Sequence, residues 1–71
     1  MTIRFFAIQY TRDDGTFIYW CEEGAVFVFY SPTLYPSEEH AYGVLSLAGR
    51  YVKDKTRLRV VELVPTPLPR G

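Results

Sequence analysis

The chain has one cysteine, one histidine, no net charge and no uninterrupted apolar run long enough to cross a bilayer. With Cys21 alone there is no internal disulfide and no multi-cysteine zinc pattern. It reads as a half-buried strand thiol in a protein of a reducing cytoplasm. His40, flanked by Glu38 and Glu39, lacks the three or four converging ligands that a metal needs, and reads as a solvated residue in the first turn of a helix. A membrane helix needs about 20 consecutive apolar residues. Met1 to Tyr10 carries Arg4 and lacks both the apolar run and the small-residue cleavage site of a signal peptide. A cytoplasmic protein with no membrane contact is therefore expected. None of the five glycines forms a phosphate-cradling loop, and Ser31, Ser37 and Ser46 sit in no nucleophile motif. Asp13-Asp14 and Glu22-Glu23 read as hydrated turn residues rather than paired catalytic acids. The expectation is a non-enzymatic chain with no cofactor and no metal. A small enzyme working through His40 or Cys21 is a third reading, which predicts that activity disappears on substituting either residue.

What is abundant is aromatic: one Trp, six Tyr and five Phe in 71 residues. A chain of this length buries only about 60% of the surface that its unfolded form exposes. Some of these rings must face outward, where Tyr and Trp are suited to meeting a partner. Charge is sorted along the chain. Residues 1–49 hold Arg4 and Arg12 against Asp13, Asp14, Glu22, Glu23, Glu38 and Glu39. Residues 50–71 hold Arg50, Lys53, Lys55, Arg57, Arg59 and Arg70 against Asp54 and Glu62. Such polarity either orients a binding event, without requiring a nucleic acid, or is two acidic loops and one basic strand that neutralise each other across the fold.

Two β-prone runs, Thr2 to Tyr10 and Thr16 to Cys21, flank Asp14-Gly15 and predict a hairpin. After the turn at Glu22-Glu23-Gly24, a third strand is expected over Ala25 to Tyr30. Ser37 is placed to cap a helix whose first turn carries Glu38 and Glu39. Ala41, Val44, Leu45, Ala48 and Val52 form its apolar stripe. Gly43 and Gly49 suggest a helix lying close on the sheet, bending or ending early. Thr56 to Val64 reads as the last strand, alternating at first and then apolar on both faces. Pro65, Pro67 and Pro69 forbid regular structure beyond it. The expected architecture is α+β: an antiparallel sheet of about four strands in the order β-β-β-α-β with one helix on one face, a single domain over 1–64, and an extended tail over 65–71.

One helix covers one face only, and neither face is clearly polar. The other face should keep exposed apolar and aromatic groups, which usually mark an interaction site, unless strong twist and the proline tail cover much of it. Tyr19, Trp20 and Tyr30 are the candidate contacts, with Arg57 and Arg59 supplying charge at the rim. Homodimerisation would use the same face. A nucleic-acid-binding module is the alternative, with Arg50, Lys53, Arg57 and Arg59 on phosphates and rings stacked on bases.

The element order, the capped helix Ser37-Glu38-Glu39-His40-Ala41-Tyr42 and the strand Leu58-Arg59-Val60-Val61-Glu62-Leu63-Val64-Pro65 together resemble small phage-encoded host-takeover proteins. Among these are phage inhibitors of bacterial RNA polymerase and several anti-CRISPR proteins. The likeness covers about Phe17 to Pro65 and is one of pattern. It implies a compact binding protein that blocks a host protein complex by occupying its surface. It transfers no individual residue.

Overall fold

The computed structural model describes residues 4–63. Strands β1 (Phe5–Thr11), β2 (Phe17–Cys21) and β3 (Val26–Val28) precede helix α1 (Glu38–Ala48), and β4 (Leu58–Leu63) follows it. Short 3-10 turns at Gly49–Tyr51 and Lys55–Arg57 link α1 to β4. All neighbouring strands run antiparallel in the order β3-β2-β1-β4, so the expected α+β domain is the one observed. The first and last strands lie side by side, with Phe5 opposite Leu63 and Tyr10 opposite Leu58. The tail over 65–71 and the strand ends expected at Thr2 and Val64 lie outside the described residues.

Local chemistry explains each boundary. Gly15 takes the positive φ that turns β1 into β2, and Asp14 accepts hydrogen bonds from both the backbone N–H and the hydroxyl of Thr16. Asp54 does the same for Thr56 at the entry to β4. The third strand is shorter than expected. Ala25 has φ 50 and belongs to the turn, and the chain bends at Phe29 and Tyr30 before Ser31 at φ 59. Left-handed backbone at two non-glycine residues ends the pairing on either side of β3. Ser37 caps α1 by accepting from the His40 backbone N–H at 3.2 Å.

Between β3 and α1 the chain does something that periodicity does not announce. The β1–β2 ladder pairs Gln9 with Tyr19, Tyr10 with Ile18 and Thr11 with Phe17. Continued toward the other end of the sheet, it would set Phe6 opposite Glu22. Phe6 instead exchanges both backbone hydrogen bonds with Tyr35, at 2.9 and 2.8 Å. On its other side the same segment bonds β2: Thr33 N–H donates to the Trp20 carbonyl, and Glu22 N–H donates to the Thr33 hydroxyl at 2.8 Å. Thr33 to Tyr35 is thus a wedge that parts β2 from β1 and satisfies the backbone groups on both sides of the gap.

Alternation sends Phe6 and Ile8 of β1, Trp20 of β2, and Leu58 and Val60 of β4 to the face under α1. Ala41 and Ala48, fully buried, let the helix approach β1 and β4 closely. The glycines have no such role. A Cβ on Gly43 would meet nothing within 4 Å, and one on Gly49 would make ordinary contact with Lys55. Away from the helix the core is aromatic: Trp20 meets Phe27 edge-on at 5.3 Å between centroids and Tyr51 at the same distance, while Tyr35 closes the wedge end. Fully burying a side chain such as Ile8 contributes about 1.5–3 kcal/mol. The few buried side chains of this small domain therefore matter individually.

Candidate partner-binding face

The opposite parity of each strand faces away from the helix. Gln9 on β1 stands between its cross-strand neighbours, Tyr19 on β2 and Arg59 on β4. Their side chains connect. Arg59 Nε donates to Gln9 Oε1 at 2.7 Å, and Gln9 Nε2 donates to the Tyr19 hydroxyl at 3.2 Å. The acceptor position that Arg59 requires fixes which end of the Gln9 amide is oxygen. Gln9 is only 7% exposed although no described helix or strand covers this face. Ala7, opposite Val61, is fully buried.

The Arg59 guanidinium also lies over the Phe17 ring, 5.7 Å from its centroid. Phe17 is 43% exposed and Val26, on the same face of β3, is exposed as well. The result is an aromatic and apolar surface, with a cation held from one side by a ring and from another by an amide. The face presents rings, a hydroxyl and a guanidinium side by side.

The expected contacts are not brought together as a set. Tyr19 and Arg59 share the face turned away from α1. Trp20 is corrected: one residue further along β2 it points the other way, is 1% exposed, and packs between Phe27 and Tyr51 as a core residue. Tyr30 lies beyond the end of β3 and is 85% exposed, off the sheet. Arg57 is turned to its own chain. It pairs with Asp13 at 2.7 Å and with Asp54 at 3.4 Å, and donates to the Thr11 carbonyl. Sequence reasoning missed Phe17 and Gln9 as parts of the face. Cross-strand register, which joins Gln9 to both Tyr19 and Arg59, is the signal that finds them.

The basic series divides in the same way. Arg50 belongs to the turn that continues α1, Lys53 to the loop after it, and Arg59 to the opposite face, while Arg57 is already balanced by two carboxylates. Two open clefts exist elsewhere. One of about 380 Å³ is lined by Tyr10, Arg12, Asp13, Asp14 and Ile18, and one of about 250 Å³ by Leu45, Ser46, Gly49, Lys55 and Leu58. Neither contains a group of metal-binding side chains, and none occurs among the described residues. His40 is exposed and its ring sits 5.2 Å from that of Tyr35, while Cys21 is half-buried at the end of β2. No described helix is long and apolar enough to cross a membrane. No family model, curated protein or solved structure matches the chain.

Proposed function

We propose that this is a non-enzymatic binding protein whose uncovered sheet face docks on a partner protein. In keeping with the phage proteins it resembles, it acts as an inhibitor, occupying a surface of a bacterial host complex such as a CRISPR effector or RNA polymerase. The observation that carries the reading is the connected Arg59–Gln9–Tyr19 row, flanked by exposed Phe17, on a face that no described element covers. Arg and Tyr are enriched among residues that dominate binding energy. Here they are presented on strands, which hold them more firmly than a loop does.

The test is capture from nuclease-treated bacterial lysate with the tagged protein, followed by identification of whatever is retained in stoichiometric amount. A Phe17→Ser, Tyr19→Ser variant, shown by circular dichroism to be folded, should lose the retained complex, whereas Tyr42→Ser on the exposed side of α1 should keep it. Equal retention by both variants rules out this face as the docking surface. Retention that disappears with nuclease treatment favours a nucleic-acid ligand instead.

A further inference from the structure

We propose that Arg59 anchors a carboxylate of the partner protein, supplied by a Glu or Asp side chain set in an apolar surface. The proposal rests on the reading that the uncovered sheet face is the docking surface, and it specifies what that surface must meet. Arg59 uses Nε on Gln9, and its two terminal amino groups have no partner among the described residues. Those amino groups form a planar fork that suits a carboxylate. Gln9 and Phe17 already restrict the guanidinium, so less freedom is lost when the fork is engaged.

Covering this face without an anion would bury an unpaired guanidinium among rings, which is strongly unfavourable. The surface therefore selects for an occupant that brings negative charge opposite Arg59 and against one that does not. A second copy, face to face, would bring another Arg59. Its Asp13 is already paired with Arg57, and its Glu62, opposite Phe6, belongs to the helix-covered side. Its Glu22, Glu23, Glu38 and Glu39, unpaired among the described residues, lie in the β2–β3 turn and the first turn of α1, outside the strands of this face. A nucleic-acid backbone presents a phosphate at every nucleotide and is gripped by several cations. On this face Arg57 is neutralised internally, which leaves a single guanidinium suited to a single carboxylate.

The experiment is a nuclear magnetic resonance titration of the full ¹⁵N-labelled chain, observing the Arg59 Nε–H and the Gln9 side-chain amide. The probes are a capped peptide Leu-Trp-Glu-Trp-Leu, its Gln counterpart, and a short oligothymidine. The Glu peptide should move both signals and bind at least about tenfold more tightly than the Gln peptide, the difference expected for a charge-assisted pair. Arg59→Gln should make the two peptides equal, and Arg59→Lys should restore part of the preference. If both peptides perturb Tyr19 and Phe17 equally and Arg59 does not respond, the face docks but the carboxylate anchor is wrong. If neither peptide perturbs the face, the docking reading falls with it. Tighter, Arg59-dependent binding of oligothymidine overturns the carboxylate in favour of phosphate.

Discussion

Trp20 and Tyr35 each carry a polar atom into the core, the indole Nε1 and the phenol oxygen, and neither makes a well-formed hydrogen bond among the described residues. Burial pushes the Tyr35 hydroxyl up to about 12, with the Glu22 charge adding to the rise and the nearby indole N–H opposing it. A phenol whose folded value is raised favours the folded state fully below its ordinary value of 10.0, and that contribution is lost as pH climbs from there toward about 12. Alkaline unfolding should therefore include a step in this window, and Tyr35→Phe should shift the midpoint upward in a fluorescence-monitored titration. At neutral pH the same variant should be neutral or more stable by about 1 kcal/mol, since it removes an unpaired buried hydroxyl at little cost in volume. Trp20→Ala should instead cost about 3–5 kcal/mol in denaturant melts. Against a total of about 5–15 kcal/mol for a typical domain, that loss threatens the fold itself, so loss of binding in this variant would say nothing about an interface.

Helix α1 offers a contrast between what its glycine and its cap contribute. Gly43 sits mid-helix with open space where a side chain would go, so Gly43→Ala should stabilise the protein by about 1 kcal/mol through helix propensity alone. Ser37→Ala should destabilise it by about 1 kcal/mol through loss of the bond to the His40 N–H. Both are read from shifts in thermal midpoint. The cap, the hairpin around Gly15 and the strand order were legible because they depend on near neighbours in the chain. The wedge was not. Thr33 to Tyr35 follows a proline and shows no alternation, and its partners, Phe6 and Trp20, are chosen by the gap between two strands. Alternation likewise separates Tyr19 from Trp20 but does not tell which of the two parities the helix will cover. Half of the candidate site was therefore readable as composition, while its assignment to a face needed the packing of Ala41 and Ala48 against β1 and β4.

Across the whole molecule, the sorting of charge along the chain becomes a sorting in space. Glu22 and Glu23 lie at the wedge end with Glu38 and Glu39 of the first helical turn, and none of the four is ion-paired among the described residues. Arg50, Lys53 and Lys55 follow the far end of α1, which comes down near the β1–β2 hairpin where Arg57 meets Asp13. At low ionic strength and neutral pH the protein should bind both anion and cation exchangers despite its zero net charge, and it should elute from both in modest salt as the Debye length contracts to about 10 Å at 0.1 M. The Thr16 hydroxyl and the Thr56 hydroxyl hold Asp14 and Asp54 below the usual carboxylate range, and the hydrogen bond from Arg4 does the same for Glu62. Depressed folded values favour the native state above the ordinary carboxylate range and cease to do so as pH falls through it. Stability should decline on acidification below about pH 4. Asp54→Asn should flatten that decline in pH-dependent melts.

The pairing of Phe5 with Leu63 also decides how the fold answers to force. Traction applied at those two residues pulls β1 and β4 apart from one end, loading a single bonded pair at a time, so the ladder opens as a zipper at low tension. Traction between Thr11 and Leu63 pulls along the strands and must break the same bonds together. The sheet should be mechanically soft when pulled at Phe5 and Leu63 and stiff when pulled at Thr11 and Leu63.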